Sequence, residues 1–297
     1  MTTSRTLPNP TKGMRIGAHV RTGKGLDEAV ERAGEIGCEA LQVFAANPSA
    51  WHTRPIPSDI AAAFRSGMTE RAMRPAVIHT QYLLNLASPD DEIHGRSVHA
   101  LADSLVRADV LGAEFVVTHI GSHRGLGEEF GLERVRNAVR EALSSVESPA
   151  VLLLENAAGA GDLLGGRFED LRAILQGLSP LDDRLGVCLD TAHLWGAGFD
   201  LSDSEGVERT LDQFDGLVGL DRLKVVHLND SRSALGSRSD RHANIGQGEI
   251  GMVGIEAVMR HPAMSGMTII IETPMKTDDD HARDIALLKE MRSRISP

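Results

Sequence analysis

The sequence predicts a single (β/α)8 barrel, and three observations support this fold class. Eight short strand-like segments alternate with longer segments whose apolar residues recur at helical spacing. Most of the short segments are continuous apolar runs, as expected for strands that are buried on both faces of a parallel sheet. The chain has 297 residues, and roughly 250 are typical of this barrel. A doubly wound open sheet is the alternative fold.

The predicted strands are Arg15–His19, Ala40–Phe44, Ala76–His79, Phe115–His119, Val151–Glu155, Gly186–Asp190, Lys224–Leu228 and Thr268–Glu272. The clearest helical patterns between or after them are Leu26–Ile36, Asp91–Leu111, Glu128–Ser145 and Asp278–Arg292. Gly37 and Gly112 follow two of these patterns, and glycine commonly ends a helix. No linker-like stretch interrupts the alternation. We therefore expect one catalytic domain over residues 14–297, preceded by a flexible tail over residues 1–13.

The composition is that of an ordinary globular protein, with 41% hydrophobic and 25% charged residues. No apolar run reaches the roughly 20 residues that cross a bilayer, and residues 1–13 lack the apolar core of a signal peptide. Two cysteines, Cys38 and Cys188, do not indicate a disulfide framework. These features favour a cytoplasmic protein. No large apolar surface is evident from the sequence, so we expect a monomer.

Metal-binding side chains end six of the predicted strands. They are His79, His119, Glu155, Asp190, His227 and Glu272. Each one alone is typical of a hydrogen-bonded core histidine or of a carboxylate that caps a helix. Barrel closure, however, brings the carboxyl ends of all strands to one rim, where enzymes with this fold have their active sites. Because buried imidazoles and carboxylates need partners or a metal, the six residues together predict a metal site.

Three further residues extend this set. His193 follows Asp190 by three positions, and Asp240 and His242 lie two positions apart on the loop after the seventh strand. An extended loop directs both of these to the same side. The nine residues form a ligand set for Zn²⁺, with Mn²⁺ and Fe²⁺ as competitors. One four-coordinate Zn²⁺ cannot use nine ligands, whereas three ions with shared carboxylates could, and multi-metal sites suit phosphoester hydrolysis.

The remaining histidines are less informative. His19 and His123 lie near the proposed rim and are candidates for contact with a substrate phosphate. We expect four further histidines at the surface, namely His94, His99, His261 and His281. Cys188 shares a strand face with Asp190, and we expect it to be a small core residue.

Several short stretches match a known family. They are Ile-Gly-Ala-His-Val (16–20), Tyr-Leu-Leu-Asn-Leu (82–86), Gly-Ser-His (121–123), Leu-Leu-Leu-Glu-Asn (152–156), Asp-Thr-Ala-His (190–193), His-Leu-Asn-Asp (227–230), Gly-Ser-Arg-Ser-Asp-Arg-His (236–242) and Ile-Ile-Ile-Glu-Thr (269–273). On these residues the chain resembles the endonuclease IV (deoxyribonuclease IV) family of apurinic/apyrimidinic endonucleases. The resemblance extends from about Arg15 to the last helix, and all nine metal-ligand positions carry the expected residue type.

The resemblance implies a trinuclear zinc site in the barrel and a duplex DNA substrate that lacks a base. It also implies hydrolysis of the phosphodiester 5′ to the abasic sugar, leaving a 3′-hydroxyl and a 5′-deoxyribose phosphate, and removal of blocking groups from 3′ ends. We expect Glu155 to bridge two ions and to orient or deprotonate the attacking water. The expected substrate contacts are Tyr82, His19, His123, Asn229, Arg238 and Arg241.

The chain departs from the family pattern at four positions outside the ligand set. Ser49 stands where the family often has an arginine that enters the DNA stack, and Arg54 is a candidate substitute. Ile120 replaces a proline, Ala243 a histidine and Gln247 a glutamate. We expect these changes to affect the affinity and specificity for DNA rather than the class of reaction.

The net charge of −11 argues at first against a nucleic-acid partner. Three Zn²⁺ ions would offset six of these charges, and phosphate binding responds to the local field more than to net charge. Basic residues are frequent on the predicted rim loops: Arg21, Lys24, Arg54, Arg124, Arg167, Arg232, Arg238, Arg241 and Lys276.

Two alternative functions remain at this point. A divalent-metal sugar isomerase or epimerase would use only Glu155, Asp190, His227 and Glu272, and would leave the other candidate ligands without a role. The second alternative is a metal-dependent protein that binds damaged DNA without cleaving it. Catalytic turnover would distinguish a nuclease from such a protein.

Overall fold

Eight parallel strands form a closed barrel in the computed structural model, which describes residues 13–295, apart from the side chains of Pro180 and Asp278. The barrel strands are β1 (Arg15–His19), β2 (Ala40–Phe44), β3 (Ala76–His79), β4 (Phe115–His119), β5 (Val151–Glu155), β6 (Leu185–Asp190), β7 (Leu223–His227) and β10 (Thr268–Ile271). Neighbours along the chain pair with one another, and β1 pairs with both β2 and β10, which closes the barrel. The predicted fold class is confirmed, whereas residues 1–12 of the expected tail lie outside the described residues.

Two short strands, β8 (Asp230–Ser231) and β9 (His242–Ala243), form an antiparallel pair within the long segment between β7 and β10. The α-helices of the described residues are α1 (Leu26–Glu35), α2 (Ser58–Glu70), α3 (Asp91–Leu111), α4 (Glu128–Ser145), α5 (Phe168–Gln176), α6 (Thr191–Ala197), α7 (Ser204–Leu217), α8 (Gly251–Arg260) and α9 (Asp278–Ile295). Among these residues no helix has the length and apolar character needed to span a membrane.

An apolar layer fills the interior of the barrel, and we call it the apolar plug. It consists of Ala40, Val77, Val117, Leu153, Cys188, Val225 and Ile270, all completely buried. Cys188 is thus the core residue that the sequence predicts, and burial raises the pKa of its thiol to about 12. A second, larger apolar core lies between the barrel strands and the surrounding helices.

At the level of the apolar plug, strand β1 has Gly17, which has no side chain to add to the plug. A Cβ atom at Gly17 would lie 1.9 Å from the backbone oxygen of Ala40, so only glycine permits the observed approach of β1 to β2. This approach matters for function, because His19 and Gln42 follow Gly17 and Ala40 by two positions each and come within 2.9 Å of one another.

Candidate metal centre

A ring of polar side chains lies immediately above the apolar plug, and we call it the polar rim. Side chains two positions apart on a strand point to the same side, and every rim residue follows Gly17 or a plug residue by two. The polar rim consists of His19, Gln42, His79, His119, Glu155, Asp190, His227 and Glu272. The six predicted strand-end residues are therefore brought together, along with two that come from β1 and β2.

Three groups of potential metal ligands form at the rim, and within each group the ligand atoms lie within 4.8 Å of one another. The first group contains His79, His119 and Glu155. Both histidine Nε2 atoms approach Glu155 Oε2, at 3.3 Å from His79 and 3.2 Å from His119. His79 is 4% exposed and His119 is 42% exposed, so this group opens to solvent on the His119 side.

The second group contains Glu155, Asp190, His227 and Glu272. His227 Nδ1 lies 3.0 Å from Glu155 Oε1 and 3.3 Å from Glu272 Oε2. It also lies 4.0 Å from Asp190 Oδ2. Glu155 belongs to both the first and the second group, so one carboxylate can serve two ions.

The third group contains Asp190, His193 and His242, and Asp240 lies beside it. Asp240 Oδ2 is 3.2 Å from His193 Nε2, and Asp240 Oδ1 is 3.0 Å from His242 Nε2. Asp190 belongs to the second and third groups, which makes it the second shared carboxylate. All nine predicted ligands thus lie in one continuous cluster.

Local structure sets the tautomer of three of these histidines. A backbone carbonyl can only accept a hydrogen bond, so the ring nitrogen that faces it carries the proton. His79 Nδ1 donates to the Thr80 oxygen (2.7 Å), His193 Nδ1 to the Asn156 oxygen (2.8 Å) and His242 Nδ1 to the Glu272 oxygen (3.1 Å). Each Nε2 is left as the ligand atom, the arrangement usual for histidines that bind metals.

Helix α6 places His193 by means of its N-terminal cap. Asp190 Oδ1 accepts a hydrogen bond from the backbone N–H of His193 at 2.8 Å, which satisfies one of the free N–H groups at the start of the helix. The other oxygen, Asp190 Oδ2, accepts from the Asn229 amide at 2.6 Å. Asp190 therefore caps a helix and faces the third group at the same time.

The β8–β9 pair delivers Asp240 and His242 to the rim. Ser231 pairs with His242, and the buried Asp230 carboxylate accepts hydrogen bonds from the backbone N–H groups of Gly248 and Ile250. These bonds attach the returning loop to the end of β7. Two residues that are distant from the other ligands in sequence are in this way held beside Asp190.

The electrostatics of the cluster favour a bound cation. Burial opposes a charge on His242, but the neighbouring negative charges of Asp190 and Asp240 raise its pKa to about 9. Despite burial, the pKa of His193 is raised well above 6.5 by Asp190, Asp240 and Glu155. The pKa of His227 is raised well above 6.5 by the Cys188 side chain together with Glu272 and Glu155. Burial opposes a charge on Glu155 as well, but His227 and His119 hold its pKa well below the usual value. Several buried carboxylates thus remain ionised and require positive charge close to them.

One buried ring nitrogen of the cluster has no hydrogen-bond partner among the described residues. His242 Nε2 lies close to oxygens of Asp190 and Asp240, at 3.6 and 3.0 Å, yet it forms no hydrogen bond. A nitrogen that faces two carboxylates without bonding to either fits a ligand of a metal ion. The donor set of imidazoles and carboxylates fits Zn²⁺ in the same way.

A cavity of about 1190 Å³ opens above the rim. Besides metal-group residues, its lining includes Arg21, Asn47, Arg54, Tyr82 and Met275. Tyr82 is 62% exposed and its ring packs edge-on against Phe44. The loop that carries Ser49 forms one wall, where the Ser49 N–H donates to Asn47 Oδ1. The cavity is large enough for a substrate much bigger than one metal-bound water.

The other expected substrate contacts occupy different environments. His19 belongs to the rim, and its buried Nε2 lacks a hydrogen-bond partner among the described residues. His123 lies on the loop after β4, where its Nδ1 accepts from the Gly127 N–H. Arg238 and Arg241 are exposed on the loop before β9. All of them lie on the side of the barrel that carries the candidate metal centre.

Asn229, expected as a substrate contact, lies beneath the candidate ligands. It is completely buried, its amide nitrogen donates to Asp190, and its Oδ1 accepts from the Glu272 N–H at 2.8 Å. Both polar atoms form hydrogen bonds with candidate ligands, an arrangement that favours ligand positioning over substrate contact. The signal in the sequence was its place two residues after His227.

One expectation about the histidines is wrong. His281 was expected at the surface, but it is 4% exposed and its Nε2 donates to the Thr273 oxygen at 2.9 Å. The reason is that α9 packs this residue against the segment after β10. His99 is exposed as expected, whereas His94 and His261 are half-buried.

Comparisons with known proteins agree with this geometry. A family described as the xylose isomerase-like TIM barrel matches residues 30–291. The probable endonuclease 4 of Halothermothrix orenii is 41% identical over 281 residues, which cover 94% of this chain and 99% of the relative. Endonuclease IV from Thermus thermophilus has a TM-score of 0.84 and 39% identity, with 94% of this chain and 99% of that chain covered.

A solved structure with lower sequence identity bears on the alternative function of a sugar isomerase or epimerase. A D-tagatose 3-epimerase-like protein has a TM-score of 0.72 at 20% identity, with 95% of this chain and 98% of that chain covered. This similarity shows the shared barrel fold alone. The much higher identity to the endonucleases extends over nearly the whole length of both chains, and the chain therefore belongs to the endonuclease 4 family of xylose isomerase-like TIM barrels.

Proposed function

We propose that this protein is a zinc-dependent endonuclease that acts on duplex DNA at abasic sites. It hydrolyses the phosphodiester 5′ to the lesion and leaves a 3′-hydroxyl and a 5′-deoxyribose phosphate. The observation that carries the proposal is the set of three ligand groups joined by two shared carboxylates, Glu155 and Asp190. Membership of the endonuclease 4 family supports DNA as the substrate.

Three zinc ions per chain fit the three groups, with Mn²⁺ or Fe²⁺ as alternatives at some positions. His79, His119 and Glu155 would hold one ion, and Glu155, Asp190, His227 and Glu272 a second. His193, His242 and Asp240 would hold the third, with Asp190 shared between the second and third. When bound, the ions would lower the pKa of water and neutralise negative charge on the reacting phosphate.

The protein groups then have distinct tasks. Glu155, held between the first and second groups, orients or deprotonates the attacking water. The open side of the centre is at His119 and Asp240, whose side chains are 42% and 50% exposed, so the phosphate approaches from there. His193 and His242 are mostly buried behind Asp240, and they fix the third group so that it meets the phosphate in one geometry.

Groups around the cavity would bind the rest of the substrate. His19 lines the cavity with a ring nitrogen that lacks a hydrogen-bond partner among the described residues, and Arg238, Arg241 and His123 supply further donors for phosphate oxygens. Tyr82 presents an exposed ring to the DNA. An abasic nucleotide has no base to unstack, so it is easily extruded into such a cavity. The same centre would remove blocking groups from 3′ ends, since that reaction also cleaves a phosphoester next to a 3′ oxygen.

A duplex with one abasic analogue, labelled at its 5′ end, tests the proposal. Purified protein, protein stripped of metal, and stripped protein reloaded with Zn²⁺ are compared. We expect one cut 5′ to the lesion, lost on stripping and restored on reloading, and several turnovers per enzyme. Binding without turnover would favour the damage-binding alternative. Activity on a ketose, with no cleavage of DNA by protein that contains zinc, would favour the sugar epimerase.

The monomeric state and the cytoplasmic location that the sequence favours belong to the same proposal. Light scattering after size-exclusion chromatography tests the first, and fractionation of cells tests the second. Every residue of the three groups comes from one chain, which supports the monomer.

A further inference from the structure

Gln42 lies at the centre of the polar rim, although glutamine is not a common metal ligand. It is completely buried on β2, two positions after the plug residue Ala40. Its amide nitrogen is 2.7 Å from Glu272 Oε1, and its amide oxygen is 2.9 Å from His227 Nε2. The side chain therefore bridges two members of the second ligand group.

Chemistry allows only one orientation of this amide. A carboxylate oxygen accepts hydrogen bonds and cannot donate them, so the Gln42 NH₂ must face Glu272. The Gln42 oxygen then faces His227 Nε2, which must carry a proton to make the 2.9 Å contact. Nδ1 of the neutral ring is thereby left without a proton, and it is the atom that faces Glu155 and Glu272.

His227 differs in this respect from three other histidines of the centre. Backbone carbonyls set the tautomers of His79, His193 and His242. For His227 the acceptor is a side chain, and the ring is reversed so that Nδ1 rather than Nε2 faces the carboxylates. The orientation of this ligand therefore depends on one residue that can be substituted.

We propose that Gln42 is a positioning residue that specifically supports the second zinc ion. Its amide oxygen holds His227 in the tautomer whose Nδ1 is available to the metal, and its NH₂ group holds Glu272 in place. The same NH₂ group lies 2.9 Å from His19 Nδ1 and so connects β1 to this group. The inference rests on the proposed function in one respect, namely that the three groups hold zinc.

Two substitutions separate the two contacts. Gln42→Met keeps the length of the side chain and removes the hydrogen bonds with His227, Glu272 and His19. Gln42→Glu keeps an acceptor for His227 but places a carboxylate against Glu272. Val43→Ala is the matched control, because Val43 is the next residue of β2, is equally buried and belongs to the core outside the barrel.

The first measurement is the affinity for zinc, by competition with a chromophoric chelator. We expect wild type to bind three ions, and Gln42→Met to lose about 10–100-fold in affinity for one of them. Gln42→Glu should show a loss of the same order. Val43→Ala should lower the melting temperature and leave all three affinities unchanged.

The second measurement is ¹⁵N NMR of the histidine rings in zinc-loaded protein. Wild type should show a slowly exchanging Nε2–H signal that disappears in His227→Asn. That signal should persist in Gln42→Glu and exchange rapidly in Gln42→Met. A merely structural role for Gln42 would not change the exchange of this one proton.

The outcomes distinguish the inference from the proposed function. Wild type that binds no zinc would overturn both. Wild type that binds three ions, with unchanged affinities and ring signals in Gln42→Met, would overturn the inference alone. If Gln42→Met does not fold, unchanged zinc affinity in Gln42→Glu overturns the role assigned to the contact with Glu272.

Discussion

The apolar plug and the polar rim lie two residues apart along the barrel strands, and most of the residues in both layers are buried. Leu153 and Glu155 on β5 are 0% and 1% exposed, and Val225 and His227 on β7 are both 0% exposed. The plug needs only close packing. The rim buries charge, which is stable only when opposite charge or a metal is close. Burial alone therefore does not distinguish an apolar core from a functional site. The two differ because buried charged groups need opposite charge or a metal close to them.

Among the tests of this difference between plug and rim, replacement of the shared carboxylate Glu155 should have the largest effect. We expect Glu155→Gln to keep the fold and much of the metal, and to reduce cleavage of abasic duplex by roughly 10²–10⁴-fold, because a proton-accepting group is lost. Initial rates on the labelled duplex measure the effect. Glu169→Gln makes the same chemical change on the exposed face of α5 and serves as the control. Full activity in Glu155→Gln would contradict the role of Glu155.

A cavity in the plug should lower stability and leave the metal centre unchanged. Leu153→Ala removes a completely buried side chain, and we expect it to lower the free energy of unfolding by about 2–5 kcal/mol. Zinc stoichiometry should remain that of wild type, because the ligands lie in the layer above. Urea titrations and metal analysis are the measurements. Loss of zinc at unchanged stability would show that plug and rim are not separable in this way.

The stability of the metal-free rim should depend on pH. His242 has a pKa of about 9 in the folded protein against 6.5 ordinarily. Its stabilising contribution is therefore complete below pH 6.5 and is lost as pH rises toward 9. His193 and His227 act in the same direction.

We expect stripped protein to lose stability on the order of 1–3 kcal/mol between pH 6.5 and 9. Zinc-loaded protein should show a smaller loss, because the metal takes the place of the protons. Urea unfolding of both forms at the two pH values measures this. Equal pH dependence of the two forms would argue against metal binding by these histidines.

The smallest effect is expected at the edge of the rim. Arg241 is exposed and lies between His242, a member of the third group, and Asp240, which lies beside that group. We expect Arg241→Ala to raise KM for DNA roughly 3–10-fold with little change in kcat, and to reduce the salt dependence of binding by about one charge. Arg209→Ala on the outer face of α7 is the control. A large fall in kcat instead would place Arg241 in the chemistry.

The sequence was sufficient for the architecture and for selecting the candidate ligands that the structure brings together. The alternation of apolar runs with helical patterns follows from local periodicity, and the observed strands differ from the predicted ones by at most one residue at an end. His79, His119 and Glu155 could be selected because each ends an apolar strand, and parallel strands of a barrel end at one rim. The two-residue period that places them is a local property of any strand.

Only the tertiary structure decided how these residues are combined. Glu155 and Asp190 are shared between groups because the strands close into a barrel with a particular stagger, and no spacing in the sequence encodes that. Gln42 lies in mid-strand and is not a typical ligand, so its place between His227 and Glu272 emerges only when barrel closure brings the side chain of Gln42 on β2 to the ends of β7 and β10. The burial of His281 likewise depends on how α9 packs. Contacts between distant elements decide these features, and local patterns carry no record of such contacts.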